Sequence, residues 1–142
     1  MRITYIIFTW GLLLPLIACQ SGHSGTQNSE PAHGQSSIIS GKLSPEDFLA
    51  KLTEEGRAQL IDVRTPGEVA AGHIADAQNI NIQDQDFQAR IGKLDKNQPI
   101  FVYCAKGGRS GRAANQLKEM GFVEIYDLAG GYTEWSAKGM EK

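Results

Sequence analysis

Apolar positions along this chain follow two rhythms, and the change from one to the other outlines its elements. Ser44-Pro45-Glu46-Asp47 has the residue types of a helix start: a capping hydroxyl, proline at the first helical position and acids in the first turn. Phe48, Leu49 and Leu52 follow as its apolar face, and Gly56 stops it. Gln59 to Val63 is a short apolar run closed by the turn residues Thr65-Pro66-Gly67. Glu68 to Ala71 leaves room for a brief helix before Gly72. A short strand is predicted around Gln78 to Ile82, and Phe87, Ile91 and Leu94 mark a helix within Asp84 to Leu94. Pro99 to Tyr103 is continuous rather than alternating, the pattern of a strand buried on both faces. Ala113, Leu117 and Met120 then recur at i, i+4 and i+7, with Gly121 where a helix C-cap belongs. Val123 to Tyr126 reads as another strand, and Tyr132 to Lys138 as a last helix.

Strands alternating with helices over short loops predict an α/β fold, a mainly parallel sheet with helices on both faces. Function in such sheets gathers beyond the carboxyl ends of the strands. Cys104 stands at such an end.

The start of the chain is of another kind. After Arg2, an uncharged apolar run from Ile3 to Ala18 is shorter than the ~20 residues of a spanning helix and reads as an export signal. Leu16-Ile17-Ala18-Cys19 resembles the bacterial lipobox. That resemblance implies cleavage before Cys19, lipidation of Cys19, and an exported protein anchored in the cell envelope by its acyl chains. Gln20, where an aspartate would signal inner-membrane retention, implies the outer membrane, facing the periplasm. Gln20 to Ser37 is polar, small and almost uncharged, a flexible tether. His23 and His33 lie in it without a third ligand at suitable spacing, so no metal site is expected. The organisation is therefore a signal peptide over residues 1–18, a tether with lipidated Cys19 over 19–37, and one folded domain over 38–142.

Composition narrows the function. The 142 residues are 41% hydrophobic with a net charge of −2, enough for one core and no sign of a bulk nucleic-acid binder. Two cysteines, Cys19 and Cys104, build neither a disulfide framework nor a cysteine zinc cluster, and no cofactor is expected.

That leaves an unpaired thiol in VYCAKGGRSGRAANQL, Val102 to Leu117. The turn Ala105-Lys106-Gly107-Gly108-Arg109 joins the buried strand to a helix predicted to begin near Arg109 or Ser110. Its glycines let the backbone curl so that amides converge on one point, an anion-binding nest. The helix N-terminus adds orphan N–H donors and partial positive charge there, which stabilises a thiolate. A structural cysteine after a strand does not explain glycines and cations following at once. Lys106 is as consistent with a solvated lysine as with a ligand contact, and Arg112 reads as outward-facing.

With LIDVRTPGEVAAGHIADAQNI (Leu60 to Ile80) and GFVEIYDLAGGYTEW (Gly121 to Trp135), this block resembles a single-domain rhodanese, thiosulfate sulfurtransferase-like, over Ile38 to Lys142. The resemblance implies a rhodanese-like fold. It implies that Cys104 takes a sulfane sulfur as a persulfide and passes it to a thiol or other nucleophile. Ala105, Lys106, Gly107, Gly108, Arg109 and Ser110 then bind the outer sulfur and departing sulfite, with Lys106 and Arg109 as anion contacts. Asp62 and Arg64 match the family's Asp-x-Arg and are expected to brace the site, and His73 to be a satisfied, partly buried histidine. Trp135 reads as core and Gly130-Gly131 as turn geometry. The implied partners are a small sulfur-donor anion such as thiosulfate, a thiol acceptor on a small molecule or redox protein, and the membrane through the N-terminal lipid. Ala105 stands where some thiosulfate-preferring relatives have arginine, which leaves the donor open.

Two other functions are weighed on residues. A phosphatase loop of this kind needs five residues between cysteine and arginine, but Arg109 follows Cys104 after four. A non-catalytic, membrane-tethered sulfur-binding or interaction module does not need the thiol and cations that are present here.

Overall fold

The computed structural model describes residues 37–140. The expected signal peptide, Cys19 and all of the expected tether but Ser37 lie outside the described residues. Within them run β1 (Ile39–Leu43), α1 (Pro45–Glu54), β2 (Gln59–Asp62), α2 (Pro66–Ala70), β3 (Gln78–Asn79), α3 (Phe87–Ile91), β4 (Ile100–Tyr103), α4 (Gly108–Glu119), β5 (Glu124–Leu128) and α5 (Gly131–Ala137).

Local chemistry explains most of these boundaries. Ser44 caps α1, its hydroxyl accepting from the Asp47 amide at 3.2 Å, with Pro45 inside the first turn and Phe48 and Leu52 buried. Thr65 and Glu68 form a capping box at α2. At the end of α4, Gly121 adopts φ +86°, its amide bonds to the Lys118 carbonyl and that of Phe122 to Leu117. These bonds close a Schellman motif, which needs the left-handed conformation that glycine tolerates. Among the described residues no helix is long and apolar enough to cross a membrane.

Five strands form one parallel sheet in the order β1-β5-β4-β2-β3. Side chains alternate across it. Ile100 and Val102 of β4 join Ile61, Ile91, Ala113 and Leu117 on one face, covered by α3 and α4. Phe101 and Tyr103 join Phe48, Leu52, Leu60 and Trp135 on the other, covered by α1 and α5. Trp135 is core, 3% exposed and edge-on to Phe48. The arrangement is the α/β fold expected from the sequence, a parallel sheet with helices on both faces.

Three elements differ from expectation. β1 is absent from the sequence reading because it is an edge strand whose residues are largely exposed, so no apolar rhythm marks it. It exists through pairing with β5, Ile39 to Leu43 against Glu124 to Leu128. β3 is two residues long rather than reaching Ile82. The Asn79 side chain donates to the Asp62 and Arg64 carbonyls, and beyond it the Ile80 and Ile82 amides reach the Asp62 and Val63 carbonyls by single bonds outside the regular ladder. α3 is one short helix with turns on either side, its burial confined to Phe87 and Ile91.

Candidate active site

β4 carries the chain to the sheet's carboxyl edge and ends at Tyr103. Cys104 follows, 1% exposed and a free thiol. The turn is made by Gly107, whose φ of +92° caps α4 in the left-handed region and suits a residue without Cβ. This turn aims the Gly107 amide at Cys104 Sγ, 3.1 Å away. α4 begins at Gly108, one residue before the expected start, and so brings Ser110 within its first turn, where Oγ donates to Sγ at 3.5 Å.

Burial alone pushes the Cys104 thiol up, but the Ser110 hydroxyl and the amides of Ser110, Lys106 and Gly107 outweigh it, and the net direction is down. The sulfur is thus a buried anion site built mainly from loop dipoles. Of the expected loop residues, Ala105 is half-buried, Gly108 is exposed, and Lys106 is exposed rather than folded over the sulfur.

Arg109 sits beside the thiol but is not a free cation. Both its terminal nitrogens grip Glu68, Nη1 to Oε2 at 2.7 Å and Nη2 to Oε1 at 2.5 Å. The same carboxylate closes the α2 capping box by accepting from the Thr65 amide at 3.0 Å. Thr65-x-x-Glu68 could have marked Glu68 as a capping residue; its partner 41 positions away is set only by the fold.

The Arg109 guanidinium holds the Glu68 carboxyl well below the usual carboxylate range, at about 2, against burial and with help from Thr65. A carboxylate depressed on folding contributes stability above its unfolded value, here 4.5, that is lost as pH falls through about 2. Glu68→Gln should therefore flatten the acid limb of the stability profile between those values. Urea midpoints measured across that range test it, and identical limbs in variant and wild type would mean the pair does not hold in solution.

The loop is also held from behind. The N-terminus of α5 lies against it, the Tyr132 amide donating to the Cys104 carbonyl at 2.8 Å and the Thr133 amide to Ala105 at 3.0 Å. Gly131 makes this approach possible: its φ is +61°, and a Cβ there would sit 2.7 Å from the Ala105 carbonyl carbon. The glycine pair is thus a close-packing device as well as a turn, and only the tertiary contact shows it.

Asp62 and Arg64 lie at the end of β2, 0% and 4% exposed. Arg64 Nη2 meets Asp62 Oδ2 at 2.6 Å and donates to the Gly72 carbonyl at 2.7 Å, while the guanidinium stacks 4.3 Å from the Tyr132 ring centre. They touch α5 and the Gly72 turn and have no direct contact with the sulfur among the bonds described. His73 is exposed rather than partly buried, with Nδ1 3.3 Å from the Val69 carbonyl. Arg112 faces outward as expected. Among the described residues no group of His, Cys, Asp or Glu is placed to hold a metal.

Known proteins are similar to this chain. The family described as Rhodanese-like domain matches residues 44–138. The uncharacterized protein YqhL of Bacillus subtilis is 37% identical over 107 residues, covering 71% of this chain and 83% of that one. The thiosulfate sulfurtransferase GlpE of Shewanella oneidensis is 36% identical over 87 residues, covering 61% and 84%. The crystal structure of a rhodanese-related protein from Thermoplasma volcanium superposes with a TM-score of 0.61 at 28% identity, covering 70% of this chain and 93% of its own.

Proposed function

The chain belongs to the rhodanese-like domain family, and from that premise we propose that it is a sulfurtransferase whose Cys104 carries sulfane sulfur from thiosulfate or a similar donor to a thiol or other nucleophile. The observation that carries this reading is the buried Cys104 Sγ receiving the Gly107 amide and the Ser110 hydroxyl, with its thiol pushed down despite burial. The thiosulfate sulfurtransferase activity named for GlpE relatives supports it.

The reaction is two displacements. Cys104 thiolate attacks the outer sulfur of the donor, a new S–S bond forms, and the donor's S–S bond breaks with its electron pair leaving on sulfite. An acceptor thiolate then attacks the outer sulfur of the persulfide, and Cys104 leaves as thiolate. Charge moves from sulfur to sulfur in both steps, so fixed amides of the loop stabilise it without rearranging. Arg109, neutralised by Glu68, orders the loop and adds a directed donor rather than a free positive charge. Lys106, exposed at the rim, attracts the donor anion. Asp62 and Arg64 brace the site through Tyr132 and the turn at Gly72.

We place this activity outside the cytoplasm, on a lipid at Cys19 facing the periplasm from the outer membrane, on the strength of Leu16-Ile17-Ala18-Cys19 and Gln20.

The test uses the full-length chain. Incubation with thiosulfate should add one sulfur, read by mass on the peptide containing Cys104, and cyanide or a thiol should remove it. If neither thiosulfate, mercaptopyruvate nor a polysulfide loads that peptide, the transferase reading fails and a tethered binding module replaces it.

A further inference from the structure

β1 is an outer strand of the sheet, paired on one side only. In a parallel ladder, alternate residues turn their backbone groups toward a given neighbour. The Ile39 amide donates to the Val123 carbonyl and the Leu43 carbonyl accepts from the Ala129 amide, both at 2.8 Å, so Ile39, Gly41 and Leu43 bond inward to β5. Ser40 and Lys42 therefore turn their N–H and C=O groups outward, and among the described residues no strand lies beyond them. Such an edge is a template for an added strand.

A cleft flanks this strand on each face of the sheet. On the α1 face a cleft of about 530 Å³ is lined by Leu43, Ala50 and Tyr126 with Asp47, Lys51 and Glu54. Gly41 leaves room there: it is in register with Tyr126, and a Cβ added to it would meet nothing within 4 Å. Ile39, on the same face by alternation, is 55% exposed. On the α4 face a cleft of about 230 Å³ is lined by Ser40, Lys42, Gly111, Asn115, Lys118 and Asp127. Asp127 pairs with Lys42 at 3.6 Å, and among the described residues no anion pairs with Lys118. The side chains of an added strand would alternate between these clefts. Apolar ones fill the space over Gly41 and cover Ile39, and acidic ones meet Lys118 and Lys42.

We propose that the free edge of β1 docks an extended segment of a partner protein in which apolar residues alternate with acidic ones. Charge decides against a second copy of this chain: its own β1 would bring a further Lys42 to a cleft that already holds Lys42 and Lys118. Composition decides against the chain's own expected tether, because residues 20–37 hold one acid, Glu30, and no large apolar side chain. β1 also ends beside the thiol loop, with Lys42 Nζ 3.4 Å from the place a Gly107 Cβ would take. A segment docked on β1 thus runs along the flank of the active-site loop.

The test uses the full-length chain labelled with ¹⁵N and a capped peptide, Val-Glu-Val-Glu-Val-Glu-Val. At saturation the outward amides of Ser40 and Lys42 should exchange with solvent at least about tenfold more slowly, while those of Ile39 and Gly41, already bonded to β5, change little. Ser40→Pro removes one outward N–H where an edge strand tolerates proline, and should abolish binding. Lys118→Glu should weaken binding about fivefold and favour the valine–lysine peptide in its place. No binding at millimolar peptide overturns the proposal, as does binding without protection of Ser40 and Lys42, or equal binding by a peptide with the same residues in blocks. Protection present before any peptide is added also overturns it: if it grows with protein concentration a second copy covers the edge, and if it does not the chain covers its own. Should Ser40→Pro not fold, Lys118→Glu decides, and an unchanged affinity there overturns the proposal. None of these readings involves sulfur, so their failure leaves the sulfurtransferase reading standing.

Discussion

Cys104→Ser takes up no sulfur from thiosulfate, and transfer falls by more than about a thousandfold. Serine fits the same cradle and can accept from Gly107 and Ser110, so the loop keeps its shape. What disappears is the ionisable sulfur: a hydroxyl in this position holds its proton and cannot form the S–S bond that stores the cargo. Stability should change by only about 1 kcal/mol, since one small buried group replaces another. Rate and urea midpoint measured together separate chemistry from folding. Loading that survives in Cys104→Ser would place the carrier elsewhere in the chain.

Asp62→Ala has the largest expected effect on the fold. Removing one partner of a buried ion pair leaves the other charge uncompensated, a loss of about 3–5 kcal/mol from a domain whose whole stability is of order 5–15. Arg64 is 4% exposed and would keep the Gly72 carbonyl and the Tyr132 ring face, but no anion. Its displacement would also loosen Tyr132, whose amide holds the Cys104 carbonyl. Sulfur loading should therefore slow even in molecules that remain folded. A urea midpoint close to wild type would show that Arg64 finds water instead, and that the brace is not structural.

Much of this site is legible in Val102 to Leu117 alone. A continuous apolar strand, glycines in the turn and an apolar stripe at helical spacing are properties of neighbouring residues, and they place a thiol at a strand end under a helix N-terminus. The structure keeps that arrangement, with the helix starting one residue earlier because Gly107 takes the left-handed cap itself. At Arg109 residue type shows only part of the environment. An arginine beside a reactive cysteine reads as an anion contact, yet its charge is matched by a capping glutamate from another helix. β1 illustrates the opposite failure: its exposed, glycine-containing sequence has no rhythm, and the strand exists because β5 supplies its hydrogen bonds.

What this sequence determined by itself is therefore the α/β alternation, the buried β4 and the free thiol with its nest. These follow from local backbone preference and from which face of each element is apolar, both written within a few residues. The tertiary structure decided the company that thiol keeps: Glu68 on Arg109, and α5 against the Cys104 and Ala105 carbonyls through Gly131. Those partners come from segments far apart in the chain, and the sheet order β1-β5-β4-β2-β3 sets them side by side. Apolar burial drives that ordering without naming polar partners in advance, because the hydrophobic effect has no direction and a hydrogen bond does.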